Sequence, residues 1–155
     1  MLTARLDRAK TAVLVVEDSP EVQRYLRTLL ELDSYQTEVA NNGEEALRWL
    51  REGYNPAIVL LDMQMPGMDG LQTLQCLREL RPDLKVIICS GVDDPEKIGQ
   101  AIALGAHAYL LKPVQHLYLS AAVERCLAGE SAADTTAQLR TRVVTLPVRD
   151  PFRPN

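Results

Sequence analysis

The stretch "LLDMQMPGMDG", Leu60 to Gly70, decides the reading of this chain. An apolar run ends on one acid, Asp62, and then breaks into Met, Pro and Gly. An unpaired carboxylate at the mouth of a buried strand is costly, so Asp62 requires partners from elsewhere in the chain. The residues before it, Ala57 to Leu61, are almost continuously apolar, the pattern of a strand covered on both faces. Behind it, "GLQTLQCLREL" carries Leu71, Leu74 and Leu77 at helical spacing, and Pro82 lies just beyond.

Working outward, the same alternation repeats. Strands are expected at Thr11–Val16, Gln36–Ala40, Lys85–Cys89 and Ala106–Leu111, with the polar Gln36–Ala40 nearest an edge. Helices are expected between them. The first places Val22, Leu26, Leu29 and Leu30 on one face, with Ser19 as N-cap and Pro20 at its first position. In the second, Asn42 and Glu45 have the spacing of a capping box. The fourth opens at Asp94-Pro95 and closes at Gly105, and the fifth runs from about Leu117 to Leu127. Five strand–helix units predict an α/β fold: a doubly wound, flavodoxin-like parallel sheet of five strands with helices on both faces.

The chain has 155 residues, enough for one domain with a real core. The reading divides it into an N-terminal extension (1–10), a single domain (11–128) and a Pro-rich tail or linker (129–155). A net charge of −4 argues against nucleic acid as a direct partner, because phosphate binding needs basic surfaces. No stretch approaches the roughly 18 apolar residues of a membrane span. Cys76, Cys89 and Cys126 are odd in number and widely spaced, which suits reduced thiols in a cytoplasmic protein. Met63, Met65 and Met68 read as loop packing. His107 and His116 have no partner pattern and read as surface positions.

Ligands of open α/β sheets collect at the carboxyl ends of the strands. Those ends bring together Glu17 and Asp18, Asp62, Ser90 and Gly91, and Lys112 before Pro113. Three neighbouring carboxylates repel, so a proton or a cation must sit among them. Hard oxygens with room for water suit Mg²⁺ (or Mn²⁺). Lys112 and Ser90 are suited to stabilising an added anion.

The set "VVEDSP", "LLDMQMPGMDG", "CSG" and "YLLKP", in that order, resembles the receiver domain of two-component response regulators over about Ala12 to Leu127. The resemblance implies that Asp62 is the phosphoacceptor. It implies that Asp18, Asp62 and the backbone carbonyl of Gln64 bind the metal, with Glu17 acting through water. Ser90 and Lys112 would contact the phosphoryl group, Ser90 and Tyr109 would form the switch, and Lys112-Pro113 would be cis. The implied partners are a histidine kinase or histidine phosphotransfer protein, and a downstream protein met through the fourth helix, fifth strand and fifth helix. A phosphorylation-dependent homodimer is a further implied form, although His107 and Ala108 stand where many members carry two acids. Gln64 and Val92 occupy positions that tune phosphoryl lifetime in the family.

The implied role is a signalling switch rather than an enzyme. Three other readings compete with a stand-alone switch. A phospho-aspartate hydrolase would want an acid where Gln64 stands, because an amide does no general-acid work. A flavin-type binder would want hydroxyls and glycines where Glu17 and Asp18 repel phosphate. The chain is otherwise the receiver portion of a longer regulator with a DNA-binding or enzymatic output domain.

Overall fold

A computed structural model describes residues 11–129, so the expected extension and nearly all of the tail lie outside the described residues. Five strands, β1 (Ala12–Val16), β2 (Gln36–Ala40), β3 (Ile58–Leu61), β4 (Lys85–Ser90) and β5 (Ala108–Leu111), alternate with five helices. The helices are α1 (Pro20–Leu32), α2 (Gly43–Arg51), α3 (Gly70–Leu80), α4 (Pro95–Ala103) and α5 (His116–Leu127). All pairings are parallel, in the order β2-β1-β3-β4-β5. The polar β2 is therefore an edge strand, as its composition predicts.

Period-two alternation sorts each central strand between two cores. Leu14, Val16, Val59, Leu61, Ile88 and Tyr109 face one core, shared with Leu47 of α2, Leu74 and Leu77 of α3 and Ile98 of α4. Val13, Val15, Ile58, Leu60, Ile87 and Leu110 face the other, against Leu26 and Leu30 of α1 and Leu119 and Val123 of α5. Burial on both faces is why these strands read as unbroken apolar runs. Met63 and Met65 are buried against the first core, so the methionines do pack the loop.

Element ends differ slightly from the expectation. Strand β5 begins at Ala108 instead of Ala106. Gly105 (φ 93°) reverses the chain, and the Ala106 N–H donates to Ala101 O, closing α4 before the strand starts. Asn42 caps α2 by accepting from Glu45 N at 2.8 Å. The fully reciprocal box forms instead at α3, where Asp69 accepts from Gln72 N at 2.9 Å and Gln72 Oε1 accepts from Asp69 N at 3.1 Å.

Gly70 permits the tightest approach in the loop after β3. A Cβ there would stand 2.4 Å from Met63 Cα and 2.6 Å from Asp62 O. The first turn of α3 is thus pressed onto the backbone of Asp62, and the Gly70 N–H donates to Met63 O at 3.0 Å. No helix among the described residues is long and apolar enough to cross a membrane.

Candidate functional site

The three inner strands end at one edge of the sheet, and their registers bring the acids together. Val16 pairs with Leu61, and the next N–H along, that of Asp62, donates to Val16 O at 3.1 Å. Glu17 and Asp62 are buried, whereas Asp18 is exposed. One carboxylate oxygen from each of the three lies within 4.8 Å of the others. This is the cluster expected from the strand ends.

Lys112 supplies the cation that buried acids need. Its Nζ lies 3.1 Å from Glu17 Oε2 and 3.4 Å from Asp62 Oδ2. Burial works against the ammonium, but the Asp62 charge and then Glu17 outweigh it and hold Lys112 above the usual lysine value. One cation does not balance three carboxylates. Burial first, and then Asp62, raise Glu17 to about 7 despite the ion pair with Lys112. Glu17 is thus biased toward its protonated form, by burial first and by Asp62 second.

The remaining predicted residues line the same edge. Ser90 is wholly buried, and its Oγ accepts from Val92 N at 3.1 Å. Tyr109 is buried beside it and donates from Oη to Val92 O at 2.7 Å. Both side chains thus hold the same residue of the loop after β4. Lys112-Pro113 is cis, as the resemblance implies. Gln64 is exposed and donates its N–H to Asp62 Oδ1 at 3.2 Å. Cys89, completely buried beneath the acids, is pushed by that burial to about 12 and remains a thiol.

Two residues at this edge were not singled out in the sequence. Gln23 of α1 donates from Nε2 to Glu17 O at 2.6 Å and to Asn41 Oδ1 at 2.9 Å, clamping the loops after β1 and β2 together. Glu44 of α2 accepts from Met68 N at 3.3 Å and so holds the loop after β3. Neither belongs to a motif; only the fold brings them near.

The two histidines correct the sequence reading. His116 is not an unpartnered surface residue: its Nε2 lies 3.0 Å from Asp33 Oδ1, and Ser120 Oγ donates to the same carboxylate. The contact exists because the end of α1 packs beside the start of α5. His107 is half-buried, and its Nδ1 accepts from Val86 N at 3.3 Å. Burial, then Arg78 and Lys85, lower it to about 4.

A recess of about 440 Å³ at the other end of the strands is lined by Asn55, Arg81 and Lys85. Its cations are committed to structure. Arg81 binds Asn55 Oδ1 and Leu50 O, and Lys85 donates to Cys126 O. Among the described residues, the acids at the carboxyl edge are the group whose oxygens could hold a metal ion.

A family model described as the response regulator receiver domain matches residues 13–124. The chain belongs to that family. Among relatives of this receiver, the chemotaxis protein CheY of Halobacterium salinarum is 34% identical over 103 residues, 66% of this chain and 85% of its own. The regulatory protein AtoC of Escherichia coli is 34% identical over 119 residues, 77% of this chain. This chain spans only 26% of AtoC's length. A solved receiver domain protein from Clostridium thermocellum is 31% identical with a TM-score of 0.72, covering 76% of this chain and 94% of that one. A Borrelia burgdorferi CheX-CheY-BeF3-Mg²⁺ complex matches with the same TM-score at 27% identity, covering 76% of this chain and 89% of that one. The five-stranded parallel sheet of this receiver is the fold of those CheY-like structures.

Proposed function

We propose that this receiver is a phosphorylation-dependent switch in which Asp62 is the phosphoacceptor. The observation that carries the reading is the position of Lys112 Nζ against Asp62 Oδ2 and Glu17 Oε2. A carboxylate oxygen of Asp62 attacks the phosphorus of a phosphohistidine or small phosphodonor. The bond to the donor atom breaks with its electron pair, and an acyl phosphate results.

Glu17, Asp18 and Asp62 fit a hard divalent cation such as Mg²⁺. They offer three oxygens within 4.8 Å of one another, and only the Lys112 ammonium is paired with them among the described residues. Asp18, Asp62 and the Gln64 carbonyl would hold the ion, with Glu17 acting through water. When bound, it supplies charge neutralisation at the phosphoryl oxygens. The chain's own residues do the rest: Lys112 offers its ammonium to the new oxygens and Ser90 its hydroxyl.

Phosphorylation adds about −1.5 to −2 charges and three strong acceptors. A conformation that turns Ser90 Oγ toward them gives up the Val92 N–H bond, and this frees the loop that Tyr109 also holds. The phosphoryl group thus biases one arrangement of β4, α4 and β5 by its differential contacts. Readout is through the α4-β5-α5 face by a downstream protein, with homodimerisation as one form of it. The donor is a histidine kinase or phosphotransfer protein, consistent with the cytoplasm.

The test is Mg²⁺-dependent incorporation of labelled phosphate from acetyl phosphate or a kinase. Asp62→Ala should abolish incorporation, and labelling that persists in this variant would overturn the assignment. In a second reading, the switch acts on an output domain, as the greater length of AtoC suggests. An intact gene product heavier than 17.3 kDa would favour it.

A further inference from the structure

At the β2 edge, away from the acids, a recess of about 380 Å³ is lined by Glu38, Trp49, Glu52 and Tyr54. Trp49 and Tyr54 meet edge to face, with ring centroids 6.2 Å apart and planes at 89°, and so form two walls of a corner. Both rings are partly buried and pack against the core beneath α2. Glu38 and Glu52 have no ion-pair partner among the described residues. Tyr54 Oη is buried and finds no hydrogen-bond partner among them. Burial, and then the Glu38 charge, push the Tyr54 hydroxyl above its usual value, so it stays protonated.

We propose that this recess is a docking site for an arginine side chain presented by an extended segment of a partner protein. Glu38 and Glu52 are exposed and give the recess a negative rim, and aromatic faces attract a cation through their quadrupoles. A guanidinium offers five N–H donors in a flat fork, enough to serve Glu38 and Glu52 while lying against Trp49. A lysine ammonium has three donors and no flat face to stack. A hard metal ion would find only two carboxylates and two aromatic walls, too few oxygens.

The setting favours a polypeptide as the carrier. Among the described residues strand β2 pairs with β1 alone, which leaves its outer edge available to an added extended segment. Glu38 lies in the middle of that strand, which places the recess beside the open edge. Arg27 reaches Thr37 O across this edge at 3.4 Å, a long exposed contact that an incoming segment could displace cheaply.

Trp49 is the chain's single tryptophan, so its emission reports the recess directly. Purified full-length protein is titrated with N-acetyl-arginine amide and with the uncharged isostere N-acetyl-citrulline amide. The arginine probe should shift Trp49 emission saturably and bind at least tenfold more tightly than the citrulline probe. A Glu38→Gln/Glu52→Gln double variant should bring arginine down to the citrulline level, with the circular dichroism spectrum unchanged. Equal binding of the two probes, no saturable response, or undiminished binding by the double variant would each overturn the proposal.

Discussion

The Lys112 N–H donates to the carbonyl of Ser90 at 2.8 Å, joining the residue that follows β5 to the last residue of β4. This ladder bond sets where the lysine stem leaves the sheet, and from there Nζ reaches the acids of two other strand ends. The backbone register of two strands thereby decides an electrostatic contact across the site.

Lys112 and a divalent cation compete for the same carboxylates. Lys112→Met removes one positive charge within 3.4 Å of Asp62, so Mg²⁺ should bind several-fold more tightly in the variant. Phosphoryl-dependent switching should be lost together with the ammonium. Titration of the metal by calorimetry checks the first part, and unchanged or weaker Mg²⁺ binding would contradict it.

Glu17 should give the metal-free protein an unusual pH response. Its folded value near 7 lies above the ordinary carboxylate value of 4.5. Between those limits the folded state holds more protons than the unfolded one, so this group makes stability fall as pH rises. Mg²⁺ must displace the same proton, and its affinity should weaken as pH drops from 8 to 6. Glu17→Gln should flatten both trends, as thermal unfolding and metal titrations across that range will show.

His107 acts in the opposite sense. Its folded value near 4 lies below the ordinary 6.5, so the unfolded chain takes up a proton that the folded one refuses. Its contribution to stability is complete above pH 6.5 and is lost progressively as pH falls toward 4. His107→Gln should therefore lose less of its melting temperature than the parent between pH 7.5 and 5. A parallel loss in both proteins would sink the assignment.

Gly70 is required by space, since a methyl group there would overlap Met63 Cα and Asp62 O. Gly70→Ala should destabilise the fold by about 1–3 kcal/mol, the usual cost of overpacking. It should also slow phosphorylation, because the backbone that must yield belongs to Asp62. Urea unfolding and a phosphorylation time course measure the two effects. Gly99, with nothing within 4 Å of an added Cβ, is the control that should lose little from either.

The β3 run was legible because burial on both faces leaves no polar residue until Asp62, and the strand ends of α/β sheets are where ligands gather. Ser19 and Asn42 announced helix starts through hydrogen bonds to residues three along the chain, and Pro20 through its fixed φ. Gln23 and Glu44 were not legible, since each reaches a loop across the fold and no spacing along the chain records that. His116 was misread for the same reason: Asp33 is far away in sequence and adjacent only once α1 and α5 pack side by side.

By itself, then, the sequence determined the alternation of elements, the two-sided burial of the sheet and the residue types at its carboxyl edge. These follow from local periodicity and capping, which act over a few residues. Tertiary structure alone decided that Lys112 reaches both Glu17 and Asp62, and that burial raises Glu17 above the ordinary carboxylate value. It also left Glu38, Glu52 and Tyr54 Oη without partners among the described residues around Trp49. Charge energies depend on ångström separations and on burial, and both arise only when strands distant in the chain come into register.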